Sequence, residues 1–337
     1  MRKRILTAAV MAACAGMSFA AVADESTKVG GKAYIDFTNI DKKTSGTKDP
    51  ASGLGFDLTR FYVGIDHVFD DMWSANVTTD VTYDSGVGAT QVYIKKAYLQ
   101  AKVSDAAVIR LGSADMPWIP YAENAWGYRY VEKALIDRAG FGTSADWGAH
   151  VGGKVGMVNY AVSAVNGNGY KNPTRSKGLD FEGRVGVMPV EGLNLAVGFY
   201  DGKKGKDVEG ATGINSASRW DVLAAYSHDM FNVGAEYFSA ENFKDPSAAK
   251  DKADGYSVFG SVKAGEKAAV FARYDEVKPN KTTSSSLKDT YYNVGVSYEA
   301  RKNVDLALAY KNEQMKNSSA TKPLEYSEVG LWTQVKF

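Results

Sequence analysis

Strict alternation along short segments is the feature that most limits how this chain can fold. In Trp73–Tyr83 one set of positions reads Trp73, Ala75, Val77, Thr79, Val81 and Tyr83, and the other reads Ser74, Asn76, Thr78, Asp80 and Thr82. A period of two puts successive side chains on opposite faces of a strand, so one face meets an apolar medium and the other meets water. The pattern repeats in Tyr292, Val294, Val296 and Tyr298 against Asn293, Gly295 and Ser297. It repeats again in Val304, Leu306, Leu308 and Tyr310 against Asp305, Ala307, Ala309 and Lys311. Aromatic residues end many of these apolar faces. Trp73, Tyr226 and Tyr298 fall near one rim; Tyr83, Trp220, Tyr237, Tyr256, Tyr274, Tyr292 and Tyr310 fall near the other. Two such rings, about six to ten residues apart along tilted strands, match the two interfaces of a bilayer. The polar faces hold Asp, Asn, Ser, Gly and Arg, which suits a wet lumen and not the packed interior of a sandwich.

About sixteen candidate strands follow from this pattern, the first at 28–40 and the last at 325–337. Their connections alternate in character. Segments such as 69–72, 103–106, 155–156 and 189–192 are short, whereas those around 41–54, 167–177, 201–217, 241–254, 276–288 and 314–324 are long and polar. Ser85–Ala89 is a short exception among the long ones. Long loops outside and short turns in the periplasm characterise outer-membrane barrels, and about sixteen strands are enough to enclose an aqueous channel. The fold expected is therefore all-β, a transmembrane antiparallel β-barrel of about 16 strands, with residues 24–337 forming one barrel domain.

The N-terminus supplies the route to the membrane. Arg2, Lys3 and Arg4 precede an apolar run from Ile5 to Met17, and Ala21-Val22-Ala23 gives a small-x-small pattern. That is a secretory signal peptide over residues 1–23, too short and wrongly flanked for a membrane-spanning helix. Its removal takes three basic residues, so the formal charge goes from +1 to −2 and favours no particular partner. Cys14 is the only cysteine and lies within this leader, which excludes disulfides and thiol chemistry in the mature chain. A lipoprotein would be cut before Cys14, but Met11-Ala12-Ala13 makes a poor lipobox.

In the last strand Val329, Leu331, Thr333, Val335 and Phe337 alternate outwards, and the sequence stops on Phe337. Signal peptide, alternating strands and a C-terminal aromatic together resemble the Gram-negative general porins over the whole mature chain. The resemblance implies a homotrimer in the bacterial outer membrane, in contact with lipid and lipopolysaccharide, through which small hydrophilic solutes diffuse. It also implies that Phe337 is read by the barrel-assembly machinery. Asn172–Phe181 and the region Asp115–Gly148 are similar, more loosely, to porins of the phosphate-selective O/P group. Members of that group depend on a ladder of arginines and a ring of lysines, and no regular arginine ladder is present here. A substrate-selective porin for phosphate or another small anion is therefore an alternative. A non-conducting barrel acting as an adhesin is another.

Pro117–Val131 (PWIPYAENAWGYRYV) breaks the alternation entirely. It follows the fifth strand, where the resemblance places a third loop that folds into the barrel. Trp118, Ile119, Tyr121, Trp126, Tyr128, Tyr130 and Val131 need a surface to pack on, and the inner wall of a wide barrel provides one. The constriction loop is expected over about 115–143, with a helical turn or two at Val131–Asp137. Its charged candidates are Asp115, Glu123, Glu132 and Asp137 with Arg129, Lys133 and Arg138, and Trp118, Tyr121 and Tyr128 are its contact residues. On the wall, parity turns Arg60, Arg110, Arg184 and Arg273 inwards. Lys96 joins them only if Tyr93, Ala97 and Leu99 face outwards, a parity at odds with Val92 and Ile94. Opposed walls of charge would set a transverse field; the alternative is that each arginine pairs with an inward Asp66, Asp180, Glu182 or Asp275. Lysines crowd the long loops, at 42, 43, 48, 171, 177, 203, 204, 206, 278, 281, 316 and 322, with Arg175 among them. A basic vestibule of this kind concentrates anions at low salt.

Signals for other functions are missing. His67, His150 and His228 fall near separate strand ends, no metal-binding spacing occurs, and Asn166-Gly-Asn-Gly169 is too short for a phosphate loop. No basic domain suggests nucleic acid. The expectation is a channel with no enzymatic activity, no metal and no cofactor.

Overall fold

The structure, a computed structural model, describes residues 25–84, 86–318 and 322–337. The expected leader, residues 1–23, lies outside them. Sixteen antiparallel strands close on themselves. They are β1 Ser26–Thr44, β2 Gly53–Val68, β3 Trp73–Asp84, β4 Ala89–Ser104, β5 Ala107–Asp115, β6 Ala145–Val155, β7 Val158–Val165, β8 Asp180–Val187 and β9 Leu193–Gly202. The rest are β10 Ala217–Ser227, β11 Phe231–Glu241, β12 Lys252–Lys263, β13 Ala268–Lys278, β14 Lys288–Arg301, β15 Val304–Lys316 and β16 Leu324–Lys336. A two-residue ladder, Thr47–Lys48, folds the first loop back on β1. Closure runs from Lys32 opposite Lys336 to Thr44 opposite Leu324, so every strand has two neighbours and no edge remains to be satisfied in lipid. Gly31 and Phe337 exchange backbone hydrogen bonds at the seam.

The alternation read in the sequence is the inside–outside code of this barrel. On β9, Leu195, Val197 and Phe199 face out while Ala196, Gly198 and Tyr200 face in; on β13, Val270 and Tyr274 face out while Phe271, Arg273 and Asp275 face in. The outer aromatics pair across strands, with ring centroids 6.1 Å apart for Tyr256–Tyr274 and 6.0 Å for Tyr292–Tyr310. Several strands run two or three residues further than expected at the loop end.

Two ends result. Short turns at 69–72, 105–106, 156–157, 188–192, 228–230, 264–267 and 302–303 mark one; loops L1 to L8, described at 45–52, 86–88, 116–144, 166–179, 203–216, 242–251, 279–287, and 317–318 with 322–323, mark the other. L3, residues 116–144, is the longest and enters the lumen. It carries two helices, α1 Ile119–Trp126 and α2 Leu135–Ala139. The longer one lies outside the span that the sequence marks for a helical turn, yet its limits are readable. Pro120 sits in its first turn, and Gly127 ends it at φ 82°, a left-handed value that glycine adopts without strain.

The strand β4 contains the detail that matters most for the lumen. Lys96 pairs with Thr78 and Ile94 with Thr79, leaving Lys95 as the extra residue of a β-bulge. A bulge shifts the phase of the alternation by one. Tyr93 and Lys95 therefore face inwards on one side of it, and Lys96, Tyr98 and Gln100 on the other, while Val92, Ile94, Ala97 and Leu99 all face out. The two parities that conflict in a strict strand are both present.

Candidate functional site

L3 is held against the wall formed by β8 to β15. At its start Trp118 is fully buried: its backbone N–H donates to Glu182 (2.9 Å) and its indole Nε1–H donates to Glu236 (2.7 Å). The indole lies over Gly198, where a Cβ would come within 2.5 Å of the ring, so the wall residue must be glycine for the loop to lie this close. Tyr121 donates its hydroxyl to Asn194. Trp126 packs edge-on against Phe259 and Phe271, and Tyr128 stacks on Phe271 with centroids 4.2 Å apart. These contacts are what the aromatic residues of the irregular segment require.

Its second half is held by charge. The Arg138 guanidinium donates to Asp275 (2.8 Å), Asp289 (3.0 Å) and Glu313 (3.0 Å) and lies over the Tyr291 ring. Arg273 binds Asp275 through two donors and the Lys133 carbonyl through a third. Arg184 donates to the Pro117 carbonyl (2.9 Å) and to Asn159, and Arg219 donates to the Phe141 carbonyl, to Glu182 and to Asp221. Glu132 is within 3.6 Å of Lys311. Burying charges of this kind is tolerable only because each is paired and hydrogen-bonded.

The wall from β1 to β5 is left open to the lumen. Arg60 donates to Asp80 (3.1 Å), Lys96 pairs with Asp115 (3.1 Å), and Arg110 donates to Gln100 (2.8 Å) with no carboxylate within 4 Å among the described residues. Lys32 on β1 and Lys95 on β4 also face this space, without a carboxylate at ion-pair distance among the described residues. On the loop opposite, Arg129 pairs with Glu123 and lies 3.8 Å from Asp137. Burial pushes the Glu123 carboxyl up from its usual range, while the Arg129 guanidinium pulls it down. L3 separates two cavities, one of about 1380 Å³ on the turn side and one of about 570 Å³ on the loop side, and Tyr130 lines both.

The candidate residues read from the sequence thus divide. Arg60, Lys96, Arg110, Asp115, Glu123, Arg129 and Asp137 border the open part of the lumen. Trp118, Tyr121, Tyr128, Arg138, Arg184 and Arg273 are built into the seat of L3, and Glu132 and Lys133 bridge it to the loop-side cavity. Lys32, Lys95 and Arg219 join the site without having been among those candidates. For Lys95 the signal is present in the sequence, since two adjacent lysines in mid-strand cannot both avoid lipid without a bulge. Many loop lysines carry their own counter-charges: Lys42 with Asp49, Lys203 with Asp207, Lys281 with Asp254 and Lys322 with Glu325. His150 lies 2.8 Å from Ser163, but His150 Nε2 has no hydrogen-bond partner among the described residues, so no carboxylate orients that pair.

A closed barrel of sixteen strands, apolar outside and wet inside with a loop laid across its lumen, is the architecture of an outer-membrane channel for small solutes. The chain belongs to the Gram-negative porin family, whose profile matches residues 7–318. A comparison with curated proteins finds no match by sequence. Among solved structures, the outer-membrane channel DcaP of Acinetobacter baumannii superposes with a TM-score of 0.70 at 13% identity, covering 95% of this chain and 99% of that one. The anion-selective porin from Comamonas acidovorans gives 0.68 at 13% identity, covering 93% and 100%. OmpT of Vibrio cholerae, in a trimer form, gives 0.61 at 12% identity, covering 93% and 99%.

Proposed function

We propose that this porin is a general diffusion channel with a weak preference for anions, working as a homotrimer. The observation that carries the preference is the imbalance of charge around the open lumen. Lys32, Arg60, Lys95, Lys96, Arg110 and Arg129 meet Asp80, Asp115, Glu123 and Asp137, leaving a positive surplus around the lumen that L3 narrows. The phosphate-selective alternative calls for free arginines at successive depths. Arg184, Arg219 and Arg273 are instead occupied by L3 and its carboxylates. The Comamonas acidovorans porin, anion-selective and of the same fold, is consistent with the reading, and the trimer form of OmpT supports three-fold assembly. In this reading residues 1–23 are cleaved on export, the turn end faces the periplasm, the outer aromatic rings meet lipid and lipopolysaccharide, and Phe337 directs assembly. The protein is a conduit and performs no enzymatic reaction.

Reversal potential in a KCl gradient across a planar bilayer tests the preference. Wild type is expected to favour chloride, and K95M with R110M to move the potential towards zero. Because the Glu123 value is raised, its carboxylate takes up a proton at higher pH than a free glutamate does. The surplus therefore grows as pH falls, starting above the range in which a free glutamate takes up its proton, and chloride preference grows with it. Cation selectivity of the wild type would overturn this reading.

A further inference from the structure

We infer that the open wall carries a subsite for planar aromatic carboxylates, formed by Arg60 and Tyr62 of β2, Tyr93 and Lys95 of β4, and Tyr170 and Lys171 of L4; the inference rests on the channel reading above. Tyr93 and Tyr170 lie nearly parallel (26°) with centroids 5.9 Å apart. The Lys171 ammonium sits 4.3 Å from the Tyr93 ring, and the Lys95 ammonium 4.6 Å from the Tyr62 ring and 5.8 Å from that of Tyr170. Lys95 also donates to the Tyr62 hydroxyl (3.3 Å), and Arg60 reaches the Tyr93 hydroxyl (3.4 Å). All of these side chains except the exposed Lys171 are half-buried, and Arg60 lines the loop-side cavity.

Two separate devices bring the cluster together. The β4 bulge lets Tyr93 and Lys95 face the lumen on the same wall as Lys96 and Tyr98, although the two sets are out of phase along the strand. Independently, the start of L4 is fixed inwards. Asp146 accepts the backbone N–H groups of Gly167 and Gly169, both 3.0 Å away, and Trp147 donates its indole N–H to the Tyr170 carbonyl (2.9 Å). Among the described residues Asp80 is the carboxylate hydrogen-bonded within the cluster, accepting from Arg60 and Tyr93, while Lys95 and Lys171 form no ion pair there. Lysines needed only for chloride would require no tyrosine faces beside them. A solute that joins a flat ring to a carboxylate satisfies both halves, stacking on the rings while its charge meets the ammonium and guanidinium groups.

Block of single-channel KCl current by benzoate and by cyclohexanecarboxylate compares two solutes of like charge and size, one flat and one puckered. Benzoate is expected to half-block at a concentration lower by about tenfold, the ratio that one ring contact supplies. Y93L/Y170L should abolish the difference, and Y170L alone, in a loop outside the barrel wall, should shrink it; K95M should weaken both solutes alike. Equal block of the wild type by the two solutes, or a benzoate preference unchanged in the tyrosine variants, would overturn the subsite. Because each measurement needs a conducting channel, that failure is distinct from failure of the channel reading itself.

Discussion

Replacing Arg138 by Met is expected to turn a quiet channel into a flickering one without unfolding the barrel. Three carboxylates converge on this one guanidinium, and two of them, Asp275 and Asp289, are almost fully buried. Taking away one partner of a buried, hydrogen-bonded charge group costs about 3–5 kcal/mol, because the remaining charges are left without compensation. Arg273 still holds Asp275, so the cost falls on Asp289 and Glu313 and on the second half of L3. The strands keep their backbone ladders, so the folded form should survive heating in detergent much as wild type does. The segment around α2 should instead detach and return, which bilayer recordings read as current noise. Neutralising the stranded acids in R138M/D289N/E313Q should restore quiet current. A quiet R138M channel would show that the charge cluster does not hold the loop.

Removing L3 should have the larger effect on conductance. Asp115 pairs with Ala145 and the Met116 N–H bonds to the Ser144 carbonyl, so the two ends of the loop are neighbours. A short Gly-Ser linker in place of residues 118–141 can therefore close the gap without straining β5 or β6. Glu182, Glu236, Arg184 and Arg219 would then face water in place of the loop, so no group is left buried and unpaired. With the partition between the two cavities gone, single-channel current should rise by about twofold or more, and larger solutes should pass. Unchanged current would place the limiting constriction outside L3.

How far the sequence anticipates this structure depends on the kind of interaction involved. Strand positions, the number of strands, the turn and loop ends and the entry of Pro117–Val131 into the lumen all follow from alternation and from the need of aromatic groups for a surface. Such information is local. What the sequence hides depends on neighbours distant along the chain. Alternation cannot decide the parity of Lys96 because a bulge changes phase within the strand; the adjacent Lys95 and Lys96 are the local trace of that bulge. The fate of the inward arginines is equally hidden. Parity turns Arg60, Arg184 and Arg273 to the same side, but only the path of L3 decides that Arg184 and Arg273 bind its carbonyls while Arg60 faces open space. Gly198 is the matching trace on the wall, a residue without a side chain where Trp118 must lie.

Electrical recording from the purified protein in a planar lipid bilayer tests the central claim most directly. The architecture predicts stepwise insertion events with stable, ohmic current in KCl, each step carried by water-filled lumens partitioned by L3. A folded barrel that inserts and never conducts would contradict it.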